Sequence, residues 1–181
     1  MSANPGAIGG AFARCRREKR AAFIPFLMAG DPDLEITERL AVALAEAGAD
    51  LLELGVPFSD PIADGPVNQA AANRALKSGT TLARTLDLAA LLRAPLGIPV
   101  VLFTYFNPIH AYGIERFAEH AARSGVDGVL CVDLPPEEAA GDYLDSFHRH
   151  RIDPIFLLAP TSTRERVRGV AAVGSGFVYY V

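Results

Sequence analysis

Residues 51–66, LLELGVPFSDPIADGP, decide how the chain is read. The stretch opens as an apolar run suited to a buried strand, yet Glu53 stands inside it. It then breaks into a loop carrying Gly55, Pro57, Pro61, Gly65 and Pro66, with acids at Asp60 and Asp64. A lone carboxylate buried without a partner costs several kcal/mol, so a sequence keeps one there when it is paired or used. Glu53 is therefore the first residue to explain.

Working outward, the apolar runs alternate with amphipathic stretches. Residues 8–20 suit a short helix after a flexible start, and 23–29 (FIPFLMA) a buried strand ended by the turn GDPD. In 34–47, Ile36, Leu40, Ala43, Leu44 and Ala47 recur at spacings of three and four, one apolar face of a helix. Strands are expected over 51–54, 98–105, 128–132, 154–158 and 177–181. Helices are expected over 68–77, 82–92, 113–124, 137–150 and 163–173, with a long loop after the second strand and a loop around His110 after the third.

Two joints repeat. Ala47-Gly48-Ala49-Asp50-Leu51 and Ser124-Gly125-Val126-Asp127-Gly128 each end a helix on glycine and start a strand just past an aspartate; Gly174-Ser175-Gly176-Phe177 echoes them loosely. Short apolar strands alternating with helices imply a parallel sheet covered by helices. Both a doubly wound open sheet and a (β/α)8 barrel fit that pattern. No GxGxxG follows the first strand, which weighs against the open sheet, and polar residues gather after the C-terminal ends of strands one to four, where barrel enzymes keep their chemistry. The expected fold is an α/β, (β/α)8 TIM barrel in a single domain over residues 1–181. It is incomplete, with about six of eight βα units, because a full barrel takes about 250 residues. Its two unpaired strand edges predict self-association.

Composition narrows the function. The 181 residues are 50% hydrophobic and carry a net charge of −4, spread along the chain, which excludes a nucleic-acid or anionic-membrane surface. The basic cluster at residues 14–20 (RCRREKR) reads as the solvated face of the first helix. Cys15 and Cys131 stand far apart with no ligand spacing, which points to free thiols in a reducing cytoplasm and no structural zinc. MSANPGAIGG lacks the pattern of a signal peptide, and no apolar run approaches the roughly 20 residues that cross a bilayer.

For chemistry, Glu53 on a strand and Asp64 in the following loop can face one mouth. Two carboxyls in unlike surroundings are driven to different pKa values, one kept protonated and one ionised, a pair suited to acid–base work. Structural roles compete: a satisfied Glu53, and an Asp64 that braces its loop. Asp133 reads as the N-cap of a helix beginning near Pro135. Tyr105 and Tyr179, near the ends of strands three and six, are core aromatics or ligand contacts. Phe26, Phe103 and Leu130 suit an apolar mouth for a flat aromatic substrate. His110 falls in a loop, while His120, His148 and His150 sit at helix ends where the helix dipole favours them.

The residues 52–71, LELGVPFSDPIADGPVNQAA, closely resemble the signature of the tryptophan synthase alpha chain family. So do FIPFLMAGDPD, PVVLFTYFNPIHAYGIERF, GVDGVLCVDLPPEE, PIFLLAPTSTRERV and GFVYYV, which extend the resemblance over nearly the whole chain from Phe23. It implies a barrel lyase that cleaves indole-3-glycerol phosphate to indole and glyceraldehyde 3-phosphate in tryptophan biosynthesis. By position, Glu53 matches the glutamate that protonates indole C3, and Asp64 the aspartate that accepts the indole N–H. Tyr179 matches a tyrosine lining the site, Phe26 and Leu130 match ring contacts, and Asp60 falls in the loop facing the beta chain. The resemblance further implies an α2β2 assembly in the cytoplasm, no cofactor in this chain, and pyridoxal phosphate in the partner beta chain. The family continues past strand six into a mobile loop and two phosphate-holding glycine-rich segments, so the chain reads as C-terminally truncated. Two alternatives stand beside the lyase: a non-catalytic chain that only binds the beta subunit, and a barrel enzyme using the same carboxyls on another phosphorylated substrate.

Overall fold

A computed structural model describes residues 6–181; the flexible start, and the opening of the N-terminus read for a leader, lie in residues 1–5, outside the described residues. Six parallel strands pair in sequence order: β1 (Phe26–Met28), β2 (Leu52–Gly55), β3 (Val100–Thr104), β4 (Gly128–Cys131), β5 (Asp153–Leu158) and β6 (Val178–Tyr180). The order never reverses. A doubly wound sheet needs a switch point, so the choice between the two architectures falls to the barrel.

Contacts across the sheet show its curvature. Phe103 on β3 and Tyr179 on β6 meet edge to face with ring centroids 5.8 Å apart, whereas three strand spacings in a flat sheet would hold them roughly 14 Å apart. The concave face carries Leu51, Val101, Leu130 and Ile155 in one buried cluster. The convex face carries Leu52, Leu54, Val100, Leu102, Val129 and Phe156 against the helices. Strands packed on both faces explain why the sequence shows continuous apolar runs rather than alternation.

The helices are α1 (Ala7–Arg17), α2 (Leu34–Glu46), α3 (Pro66–Lys77), α4 (Leu82–Leu96), α5 (Phe106–Tyr112), α6 (Ile114–Arg123), α7 (Asp142–His150) and α8 (Arg164–Val173). Helix α1 plugs the N-terminal end of the concave face, burying Ile8 and Ala11 in its cluster and setting Phe12 against Phe177 at 5.7 Å. Gly128 makes room for that plug, since a Cβ there would lie 2.8 Å from Ile8 Cδ1 and 3.0 Å from Ile155 Cδ1.

The structure corrects several boundaries. The first strand narrows to Phe26–Met28 because Pro25 has no N–H for the ladder, although its carbonyl still accepts from Glu53 N at 2.9 Å. Helix α5, with His110 in its last turn, replaces the expected loop. Pro108 falls in its first turn, where no N–H is needed. Helix α7 starts at Asp142 rather than 137, after a glycine at φ +84° that an α-helix cannot include. Asp133 consequently caps another helix: its Oδ1 accepts from Phe106 N, at the start of α5, at 2.7 Å.

The repeated joint has a physical basis. Asp50 N donates to Phe23 O at 2.8 Å, and Asp50 Oδ2 accepts from Phe23 N at 2.9 Å. Asp127 repeats the exchange with Val100, donating to its carbonyl and accepting from its amide, both at 2.9 Å. Each aspartate thus ties the start of its strand to the start of the one before it.

Asp50 does more. Arg14 donates to Oδ1 at 2.9 Å, and Arg20 donates to both oxygens at 2.6 and 2.8 Å. Two members of the cluster read as a solvated face are therefore a clamp on a buried carboxylate, and they fasten α1 and its trailing turn to β2. The Arg20 and Arg14 hydrogen bonds, against the opposing effect of burial, hold the Asp50 carboxyl far below the usual carboxylate range. Asp50→Ala should cost roughly 2–3 kcal/mol, as for hydrogen bonds to charged groups. That is less than a fully buried pair, because both guanidinium groups still reach water. The gap, read as a shift in the urea midpoint, should be complete above about pH 4 and close as pH falls below it, since a depressed folded pKa stabilises only above the unfolded value.

Candidate active site

The register places the residues. Phe26 pairs with Glu53 and Glu53 with Val101, all on the concave face; one pleat nearer the C-terminal mouth, Met28, Gly55, Phe103 and Leu130 stand side by side. Glu53 therefore has glycine above it on its own strand. The ring of Phe26 occupies that space, since a Cβ on Gly55 would lie 2.6 Å from Phe26 Cζ. Phe26 meets Phe103 edge to face at 5.4 Å, and Phe103 meets Tyr179 at 5.8 Å. Three rings thus span the concave face from β1 to β6.

Glu53 is 4% exposed. Burial raises its carboxyl to about 7, and among the described residues no donor or cation pulls it back. Its charge is felt at Tyr179, whose hydroxyl is pushed up by burial and by Glu53. A carboxyl with that midpoint holds a proton or releases one near neutral pH, the property a general acid and base requires.

Asp64 lies half-buried in the loop between β2 and α3. Burial raises its carboxyl, and a hydrogen bond from Tyr105 Oη to Asp64 Oδ2 at 3.2 Å works against that rise. Tyr105 itself is buried, with its hydroxyl also accepting from Ala63 N at 3.0 Å and its ring 5.2 Å from Phe58. The loop is further held by Gln69, which donates to Asp64 O at 2.8 Å.

The other residues singled out in the sequence divide. Phe26, Phe103 and Tyr179 are half-buried and line the concave face, whereas Leu130 is wholly buried beneath them in the floor. Asp60 is exposed and accepts a hydrogen bond from Ser59 Oγ at 2.5 Å. His110 is exposed on α5, while His150 Nε2 contacts Glu115 at 3.0 Å. Among the described residues no group of three metal-ligating side chains gathers, and no helix is long and apolar enough to cross a membrane. A cavity of about 500 Å³ lies at the opposite end of the sheet, lined by Arg14, Arg93 and Asp127, and takes in none of the mouth residues. The hydrogen bonds of Tyr105 to Ala63 and Asp64 bridge 42 and 41 residues, and no local spacing in the sequence announces them.

Six parallel strands alternating with helices, with acids at their C-terminal mouth, define a protein of the (β/α)-barrel class. Comparison narrows this. The sequence profile of the tryptophan synthase alpha chain matches residues 12–181. The chain is 54% identical over 174 residues to the tryptophan synthase alpha chain of Geobacter sulfurreducens, covering 96% of this chain and 66% of that one. It is 53% identical over 176 residues to that of Geotalea daltonii, covering 97% and 66%. The crystal structure of tryptophan synthase subunit alpha from Legionella pneumophila superposes with a TM-score of 0.94 at 38% identity, over 98% of this chain and 68% of that one. An open form of tryptophan synthase from M. tuberculosis gives 0.93 at 38% identity, over 98% and 70%. The chain belongs to the tryptophan synthase alpha chain family, and it spans about two thirds of the length of the curated relatives it matches.

The packing of Phe26 over Gly55 yields a test. Gly55→Ala should push Phe26 off Phe103 and lower stability by roughly 1–3 kcal/mol, the usual cost of overpacking. Urea unfolding and the near-ultraviolet aromatic signal would report both effects, and an unchanged aromatic signal would contradict the packing.

Proposed function

We propose that this chain performs the alpha-chain reaction of tryptophan synthase, the retro-aldol cleavage of indole-3-glycerol phosphate to indole and glyceraldehyde 3-phosphate. The observation that carries the reading is Glu53, a buried carboxyl near pKa 7 with no partner among the described residues, beneath aromatic rings at a barrel mouth. In the neutral form it donates its proton to indole C3, which turns the ring into an indolenine cation. Asp64 accepts the indole N–H and offsets that positive charge. The glycerol hydroxyl next to the ring then gives up its proton to the Glu53 carboxylate. Its electron pair forms the aldehyde carbonyl, and the carbon–carbon bond breaks with its electrons returning to the ring. Atoms and charge balance, and Glu53 ends protonated as it began.

Phe26 and Tyr179 would contact the substrate, with Leu130 in the floor beneath its ring; Tyr105, read from the sequence as a further contact, is bonded to the loop that carries Asp64. The reaction needs no cofactor in this chain, and pyridoxal phosphate belongs to the beta chain that takes the indole. We read the six units as one domain, at work in the cytoplasm. Asp60, with Ile62 and Val67 exposed nearby, would face the beta chain. That exposed loop also favours a second reading, in which the chain binds the beta subunit without turnover.

One substitution separates the two. Glu53→Gln should lower indole release from indole-3-glycerol phosphate by about 100-fold or more, as for loss of a general acid and base. Binding to the beta chain should persist. Unchanged turnover would overturn the role of Glu53, and a parent chain that binds the beta subunit but releases no indole would establish the second reading.

A further inference from the structure

In its proposed role Asp64 must hold one carboxylate in a fixed direction from a loop, and it has no cation beside it among the described residues. We propose that Tyr105 is a positioning residue that latches the loop between β2 and α3 and aims Asp64 at the mouth. The proposal rests on the functional reading of Asp64 given above.

The latch has two halves. The Ala63 N–H donates to Tyr105 Oη at 3.0 Å and so occupies one of its lone pairs. The hydroxyl proton is then directed to the remaining acceptor, Asp64 Oδ2, at 3.2 Å. One hydroxyl thus pins the backbone just before Asp64 and fixes one oxygen of its side chain. Oδ1 takes no hydrogen bond from the described residues and can accept an incoming N–H donor. A hydroxyl proton on Oδ2 also favours the ionised carboxylate, against the burial that raises it.

The mount is rigid. Tyr105 directly follows β3 and stands at the N-cap of α5, where Asp133 holds the next amide, Phe106 N, at 2.7 Å. Its ring is buried and packs on Phe58 from the same loop, with centroids 5.2 Å apart. A residue that fixes the loop from both its hydroxyl and its ring transmits the position of the β3 and β4 ends to Asp64. Direct substrate contact would leave the hydroxyl free, and here both of its hydrogen bonds are spent on the loop.

Tyr105→Phe removes the hydroxyl and keeps the ring on Phe58, so the fold is preserved, as the urea midpoint would verify. Hydrogen exchange at the Ala63 amide should quicken by about tenfold, while amides of β2 are unchanged. In indole release, kcat should fall by about 10- to 100-fold, the usual cost of small misplacement, with KM within about twofold. The acid limb of the pH profile should move to higher pH, because Asp64 has lost its donor. Parental Ala63 exchange and parental kcat would overturn the latch, as would a rise in KM alone, which marks a substrate contact. If the parent chain itself releases no indole, the functional reading fails, and the Ala63 exchange still decides the latch.

Discussion

Asp50 and Glu53 lie three residues apart at and in one strand, both nearly sealed from water, and the structure treats them in opposite ways. Asp50 receives two guanidinium groups and a backbone amide, which hold it ionised. Glu53 receives no donor from the described residues, and burial sets its proton affinity. A buried charge without donors is costly, so the proton stays on Glu53 until the pH nears neutrality. The same desolvation that costs stability at one end of the strand supplies an acid at the other.

That division follows the axis of the barrel. At the N-terminal end, α1 closes the concave face and the aspartate joints tie successive strands together, so polar groups there are spent on stability. At the C-terminal mouth, the loops after β2, β3 and β4 meet: Tyr105 bonds to Ala63 and Asp64, and Asp133 bonds to Phe106. Gly55 removes a side chain above Glu53 so that Phe26 can reach Phe103. Rigid strands fix the buried acid, and a braced loop brings the second acid to it.

Much of this was legible in the sequence. Glu53 stood out because an acid interrupts an apolar run, and Asp50 and Asp127 because their joints repeat. The strands were visible as apolar runs, their order as a consequence of alternation with helices. Local pattern missed α5, because Asn107-Pro108 reads as a turn until Asp133, distant in sequence, supplies the cap. It placed Asp133 on the wrong helix for the same reason. It read Arg14 and Arg20 as solvated because their partner, Asp50, lies 36 and 30 residues away. Periodicity records which face is buried, and it carries no record of which distant side chain satisfies a polar group.

The proposed chemistry depends on the burial of Glu53 away from any donor among the described residues, so the direct test is the titration of its carboxyl carbon by nuclear magnetic resonance, assigned with Glu53→Gln. A midpoint near 7, well above the ordinary value for a glutamate, is the predicted result. A midpoint near that of a solvated glutamate, about 4.3, would mean that water or an unseen donor reaches the carboxylate, and Glu53 would then lack the proton that the proposed chemistry requires.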